Sequence, residues 1–277
     1  MNMAIMPVRR NLSFKLPKDK VHDWNANGLH FTQFLNTLSI FFPAGERFFI
    51  DSVRRYRDQI DDPELKEAVR NFIGQEGLHS REHIEYNQAM ADAGLPVERY
   101  EAQVKALLDN VRKSLPGSLQ LAATCALEHL TAIMAKAVLE QKQTLEGADE
   151  RYKALWQWHA LEETEHKGVC FDVYEQVVGT GVSAYTQRVG AFVIANAVFW
   201  SLVVPYHIGM VRARKKQWDI KGWIKHNRTL WGRKGAFRAI IPEWFDYFRP
   251  GFHPWDDDNR AILDYADVLV NQVEQFA

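Results

Sequence analysis

The sequence predicts an all-α protein: a four-helix bundle with one long crossover and additional C-terminal helices. Three observations carry this. Four long segments are bounded by helix start and stop signals at Asp61-Asp62-Pro63, Gly94-Leu95-Pro96, Pro116-Gly117, Gly147 and Gly179. No strand-period segment or glycine-rich phosphate loop competes with them. Carboxylates and histidines recur at helical spacing, as Glu46, then Glu76 with His79, then Glu128, then Glu163 with His166.

Taken in order, residues 1–27 read as an irregular arm. A first helix runs from about Gly28 to Ile60, and Pro63 suits the first turn of a second that reaches Ala93. A linking helix at about 97–114 is long enough to cross the bundle. The third bundle helix follows Pro116-Gly117 to about Leu145, and the fourth covers about 149–178. Tight joins within each pair and a long link between pairs give two antiparallel hairpins with a crossover. The expected organisation is therefore an arm at 1–27, a metal-binding four-helix bundle at 28–178, and a helical extension at 179–277 packed on it.

Glu and His at i, i+3 lie one above the other on a helix and can address the same ion. Two such helices and two single-glutamate helices supply six ligands for a dinuclear site: Glu46, Glu76, His79, Glu128, Glu163 and His166. Glu46 leads Glu76 by 30 residues and Glu128 leads Glu163 by 35, so one half-site occurs twice. Two solvated helix faces with charge pairs would give similar spacings. The neighbours argue against that, because Phe41, Phe42, Phe48 and Phe49 surround Glu46, while Cys125, Ala126 and Leu127 precede Glu128. A carboxylate in an apolar stripe faces a core and needs a partner. The two ions are expected about 3.5–4 Å apart.

Other residues share these helix faces. His83 and His159 lie one to two turns from the ligands, as additional ligands or as hydrogen-bond donors to a carboxylate. Glu162 forms an i, i+4 pair with His166 and competes with Glu163 as ligand, although the three-residue spacing in the second helix favours Glu163. His129 is about 100° round the helix from Glu128 and is expected to point elsewhere. Thr124 and Cys125 are expected to line a substrate pocket.

The Glu, Glu-x-x-His, Glu, Glu-x-x-His order over residues 28–178 resembles the ferritin-like di-iron carboxylate superfamily. The wider chain resembles a bacterial family of predicted metal-dependent hydrolases, through Asn11-Leu12-Ser13-Phe14, the run Phe41-Phe42-Pro43-Ala44-Gly45-Glu46-Arg47-Phe48-Phe49, and Phe252-His253-Pro254-Trp255. The first resemblance implies a ferritin-like bundle in which two iron ions bind O2 and oxidise an organic substrate, with the six ligands as catalytic residues. An oxygen-rich set with one imidazole per ion suits Fe, with Mn or Zn as alternatives. The favoured function is an O2-dependent di-iron oxidoreductase acting on a small, apolar molecule and served by an electron donor. The alternative is a two-metal hydrolase, since paired ions also lower the pKa of water and clamp a leaving oxygen. Ferroxidase or iron-binding activity ranks third.

Composition sets limits. Lys and Arg number 34 against 35 Asp and Glu, so no global basic field suggests nucleic acid. Cys125 and Cys170 are the only cysteines, too few for a disulfide framework, which fits a reducing cytoplasm. Arg9 and Arg10 are followed by Asn11, Ser13 and Lys15 rather than an apolar run, unlike a signal peptide. Val189 to Val211 is almost wholly apolar, with the length of a membrane span and a basic flank from Arg212 to Lys216. The expected reading is a helix buried on the bundle or in a homodimer contact, with a membrane-surface contact as the alternative.

Overall fold

The computed structural model describes residues 5–276. It is all-α, and no strand occurs among the described residues. In chain order the helices are α1 (Leu29–Arg54), α2 (Pro63–Asp92), α3 (Val97–Ser114), α4 (Gly117–Glu140), α5 (Glu150–His166), α6 (Val169–Val177), α7 (Val182–Ala213), α8 (Ile220–Trp231), α9 (Ala236–Ala239), α10 (Ile241–Asp246) and α11 (Ala266–Glu274). Asp62 caps α2 by accepting from the backbone N–H of Glu64 and Leu65, and Asp149 caps α5 on Arg151 and Tyr152. These caps satisfy donors that a helix start leaves open.

Helices α1, α2, α4 and the α5–α6 pair pack on one another around a common interior, and α3 connects α2 to α4. Short connections force α1/α2 and α4/α5 to run antiparallel. Helix α5 is buried on nearly every side, including Trp158, Leu161 and the whole stretch from His159 to His166. It is therefore the central element, and the polar residues it carries must find partners inside the protein.

One proline shapes the interior. Pro43 lies within α1 and has no N–H to offer Ser39, four residues earlier. The freed Ser39 carbonyl accepts instead from Nδ2 of Asn87 on α2, at 3.1 Å. The helix thus continues through Pro43 to Glu46, with α2 supplying the missing donor.

Several boundaries differ from the sequence expectation. α1 ends at Arg54, and the chain becomes extended at Ile60 so that this side chain is fully buried. α4 ends at Glu140, and the arm ties down the next segment, with Nδ2 of Asn25 donating to the Thr144 carbonyl. The expected fourth helix is two, α5 and α6, separated at Lys167 and Gly168. The C-terminal segment packs into that break. A Cβ on Gly168 would stand 2.8 Å from the Trp255 ring, and Lys167 Nζ donates to the Asp257 carbonyl and to Asn259 Oδ1.

The arm is irregular but anchored. Phe14 is fully buried, its N–H donates to Glu82, and Tyr152 donates to the Pro17 carbonyl. At the other end, α7 packs on α4 and α1, α8 on α1, α9 and α10 on α4, and α11 on α5. A helix does span 189–211, but the burial expected for it is only partial. Arg188, Phe192, Asn196, Val203 and Met210 face the protein, whereas Val193, Ile194, Val204 and Ile208 are exposed. Only one side of α7 meets α1 and α4, which leaves the opposite apolar side to solvent.

Candidate metal centre

α1 contributes Glu46, α2 contributes Glu76 and His79, α4 contributes Glu128, and α5 contributes Glu163 and His166. All six are buried, and the structure brings them together. His166 Nε2 lies 3.3 Å from Glu76 Oε1, 3.5 Å from Glu128 Oε2 and 3.6 Å from Glu163 Oε1. His79 Nδ1 lies 3.9 Å from Glu163 Oε1 and 4.0 Å from Glu76 Oε1. Glu76, His79 and Glu163 form one group with donor atoms within 4.8 Å of one another, and Glu76, Glu128 and His166 form a second. Glu76 is common to both, as a bridging carboxylate would be.

The decisive feature is what these side chains lack. Glu46 Oε1, both oxygens of Glu76, His79 Nδ1, both oxygens of Glu128, Glu163 Oε2 and His166 Nε2 are buried without a hydrogen-bond partner. Native proteins leave few such atoms, each at a cost of about 1–3 kcal/mol or more when charged. Here the orphans converge from four helices on one spot and consist of oxygens and imidazole nitrogens, a donor set suited to divalent cations. The residues fit bound divalent metal.

Their surroundings orient them. Gln75 turns its amide nitrogen to the Val8 carbonyl and to Glu165 Oε2, at 3.0 and 2.8 Å. Its Oε1 is left to accept from Nδ1 of His166 at 2.9 Å, so Nε2 of His166 carries the lone pair that faces the carboxylates. On the other imidazole, Glu162 lies behind Nε2 of His79 at 3.1 Å and receives the indole N–H of Trp158. With Glu162 ionised, His79 offers Nδ1 inward. The two histidines thus present different nitrogens to the centre. Arg10 of the arm holds Glu165 at 2.6 Å and reaches Glu162 at 3.4 Å.

The additional candidates take distinct places. Glu162 does not join the inner groups; it sits outside His79, because consecutive residues on α5 point about 100° apart and Glu163 already occupies the inward direction. His159 is nearer, with Nε2 3.1 Å from Glu163 Oε1, and it forms a third donor group with Glu46 and His79. His83 is one step further out, 2.8 Å from His159 and 2.8 Å from Ser39 Oγ. His129 points away and pairs with the Glu243 carbonyl.

Burial dominates the electrostatics. It pushes Glu46, Glu76 and Glu128 well above the usual carboxylate range, with neighbouring carboxylates adding to the effect. Glu163 feels the same burial, but His166 and His159 outweigh it and hold its carboxyl well below that range. Burial, together with His159, keeps His79 neutral well below its ordinary value. Glu162 is pushed up to about 8 by burial despite Arg10.

A cavity of about 460 Å³ reaches the site between α1, α3, α4 and α7, with Glu46 in its wall. Apart from Thr131, Thr186 and Gln187 the rest of the lining is apolar, including Phe42, Phe49, Leu108, Leu127 and Phe199. Thr124 and Cys125 do not line it, contrary to the sequence expectation. The cavity side of α4 runs through Ala123, Leu127 and Thr131, while Thr124 pairs with Ser52 and Cys125 Sγ donates to the Cys170 carbonyl.

The sequence did not single out Gln75, Glu165 or Arg10. Gln75 and Glu165 each adjoin a candidate ligand or stand within two residues of one, which is the only local signal; Arg10 is distant in the chain and carries none. A family model described as predicted metal-dependent hydrolase matches residues 8–258. No curated protein and no solved structure matches the chain.

Proposed function

The chain belongs to the predicted metal-dependent hydrolase family, and we propose that it is a two-metal hydrolase of a small ester or phosphoester with an apolar portion. The observation that carries this is the convergence of orphaned donor atoms from Glu46, Glu76, His79, Glu128, Glu163 and His166. Bound there, two divalent ions would polarise the scissile carbonyl or phosphoryl group and lower the pKa of water.

The chain's own residues do the rest. Gln75 and, when ionised, Glu162 fix the two imidazoles so that each turns a lone pair inward. Ser80 donates to Glu46 Oε2 at 2.7 Å, which leaves Oε1 directed to the site. His159, hydrogen-bonded to Glu163, is placed to hold a proton beside that carboxylate. The cavity at Glu46 takes the apolar portion of the substrate against its largely apolar lining.

The donor set supports a second reading, the O2-dependent di-iron oxidation that the sequence favours. Four carboxylates and two imidazoles suit Fe or Mn, and the enclosed setting suits an oxidant that must be kept from solvent. The family membership ranks hydrolysis first.

One experiment separates these. Protein purified without added metal is analysed for metal content, assayed on nitrophenyl esters and phosphodiesters, and recorded optically before and after peroxide. Two ions per chain with turnover of an ester or phosphodiester that His79→Ala and His166→Ala abolish, while helical circular dichroism persists, is the expected result. Iron with a peroxide-dependent absorption band and no hydrolysis would transfer the assignment to oxidation. Retention of metal by both variants would sink the site itself.

A further inference from the structure

The C-terminal helices form a second concavity that the metal centre does not use. It measures about 1150 Å³ and is walled by Val204 and Ile208 of α7, Trp218 before α8, Trp231 at the end of α8, and Ile241 and Phe245 of α10. Because these side chains line one hollow, they lie on one side of the molecule. Its rim is open to solvent, with Trp218 85%, Phe245 62% and Trp231 53% exposed, and on α8 Ile220 and Ile224, which do not line the hollow, are 71% and 62% exposed. An exposed apolar area with this many large side chains marks a surface that meets something.

Helix α7 adds to the same face. It is long and apolar enough to cross a membrane, yet only 22% of its most apolar 18-residue stretch is buried, against 72% for α4. α4 is therefore an ordinary core helix and α7 is not. α7 does not cross a bilayer here, since its other side carries buried Arg188, Asn196 and His207 and packs on α1 and α4. It lies along the protein with one apolar side outward, as an interfacial helix does.

Charge decides the occupant. Between Arg212 and Arg238 the chain carries ten Lys and Arg against a single acidic residue, Asp219, within a protein whose overall charge is −1. All ten basic residues are exposed. A two-fold dimer through this face would set each basic segment against its own copy, an arrangement that like charges oppose. Aromatic side chains interleaved with exposed cations match the headgroup region of an anionic bilayer.

We propose that the face formed by α7, α8 and α10 docks on an anionic lipid membrane. Trp218, Ile224, Trp231 and Phe245 enter the boundary between headgroups and acyl chains, and the basic residues from Arg212 to Arg238 meet lipid phosphates. The cavity at Glu46 lies on the adjoining flank of α7, where exposed Ile194 and Val198 line it. Docking would bring that flank close to the membrane.

The test is co-sedimentation of the full chain with vesicles of phosphatidylglycerol mixed with phosphatidylcholine, and with vesicles of phosphatidylcholine alone. Binding to the anionic vesicles, weakening as salt rises and much weaker on neutral ones, is expected. The triple variant Trp218→Ser, Ile224→Ser, Trp231→Ser should lose roughly tenfold or more in partition, since buried apolar area sets the strength of interfacial binding. Arg214→Gln with Lys215→Gln and Lys216→Gln should weaken binding and reduce its salt dependence. Ile84→Ser, an exposed position on α2, should change nothing. Circular dichroism checks that each variant is folded, and all these side chains are exposed. Wild-type protein that ignores both vesicles, or a folded triple variant that binds as well as wild type, would overturn the proposal. So would a lipid-free dimer, seen by sedimentation velocity, that the triple variant dissolves, because the face would then be a self-contact.

Discussion

The side-chain oxygen of Gln75 lies 2.9 Å from Nδ1 of His166, and it fixes which nitrogen of that ring faces the carboxylates. The amide cannot be reversed without setting its oxygen against the Val8 carbonyl and Glu165 Oε2. Gln75→Leu removes this acceptor while keeping a similar volume. The imidazole is then free to present either tautomer, and metal affinity should fall by about 10–100-fold, as for other partners of ligating histidines. Competition with a chelator measures it. Unchanged affinity in a folded variant would show that the amide does not orient His166.

Glu162 predicts how the metal-free protein responds to pH. Burial raises its carboxyl from 4.5 to about 8 in the folded chain. A carboxyl raised on folding contributes stability that is fully present below its unfolded pKa and is lost as pH rises through the folded value. The buried imidazoles of His79 and His83, held well below their ordinary value, contribute stability that is lost as pH falls, so the carboxyl's effect is read against Glu162→Gln: wild-type metal-free protein should lose more stability than that variant between pH 5 and pH 8. Glu46, Glu76 and Glu128 are raised as well and act in the same direction. Glu162→Gln should remove the Glu162 share of the pH dependence and leave the share of the other carboxyls. Because metal binding needs the ionised carboxylates, saturating metal should flatten the profile. Thermal melts across pH, with and without metal, check all three outcomes.

Pro43 and Asn87 should behave as a coupled pair. Asn87→Leu leaves the Ser39 carbonyl buried with no donor and should cost about 1–3 kcal/mol. Pro43→Ala restores a helical N–H to that carbonyl. In the Pro43→Ala background, Asn87→Leu should accordingly cost less, although Asn87 also pairs with Glu101 and with Ser39 Oγ. A double-mutant cycle by denaturant unfolding reads the difference. Strict additivity would mean that Asn87 does not replace the bond that proline removes.

How much of this was legible from the chain depends on where the information lies. The all-α class could be read because helix punctuation such as Asp62-Pro63 is local. The six candidate ligands could be named because a helix converts spacing into direction. Boundaries were less legible where another part of the chain decides them, as at Gly168, which gives way to Trp255 from almost ninety residues later. Gln75, Glu165 and Arg10 escaped for the same reason. Their roles arise when the arm meets α2 and α5, and no periodicity within either segment records that meeting. What covers the outer side of α7 was not legible, because an apolar run specifies that a helix seeks an apolar neighbour, not which neighbour it finds.

The cavity at Glu46 gives the last prediction. Ala123 and Leu127 stand one turn apart on the side of α4 that lines it, and both are partly exposed to its space rather than locked in the core. Ala123→Trp would fill part of the cavity without replacing any of the six candidate ligands. Substrates with short apolar portions should keep their turnover, while longer ones should lose kcat/KM progressively, by about tenfold for each 1.4 kcal/mol of lost fit. Metal content should stay the same, which distinguishes a blocked cavity from a damaged centre. Equal loss for every chain length would place substrate elsewhere, and an unaltered length profile would remove this cavity from the reaction.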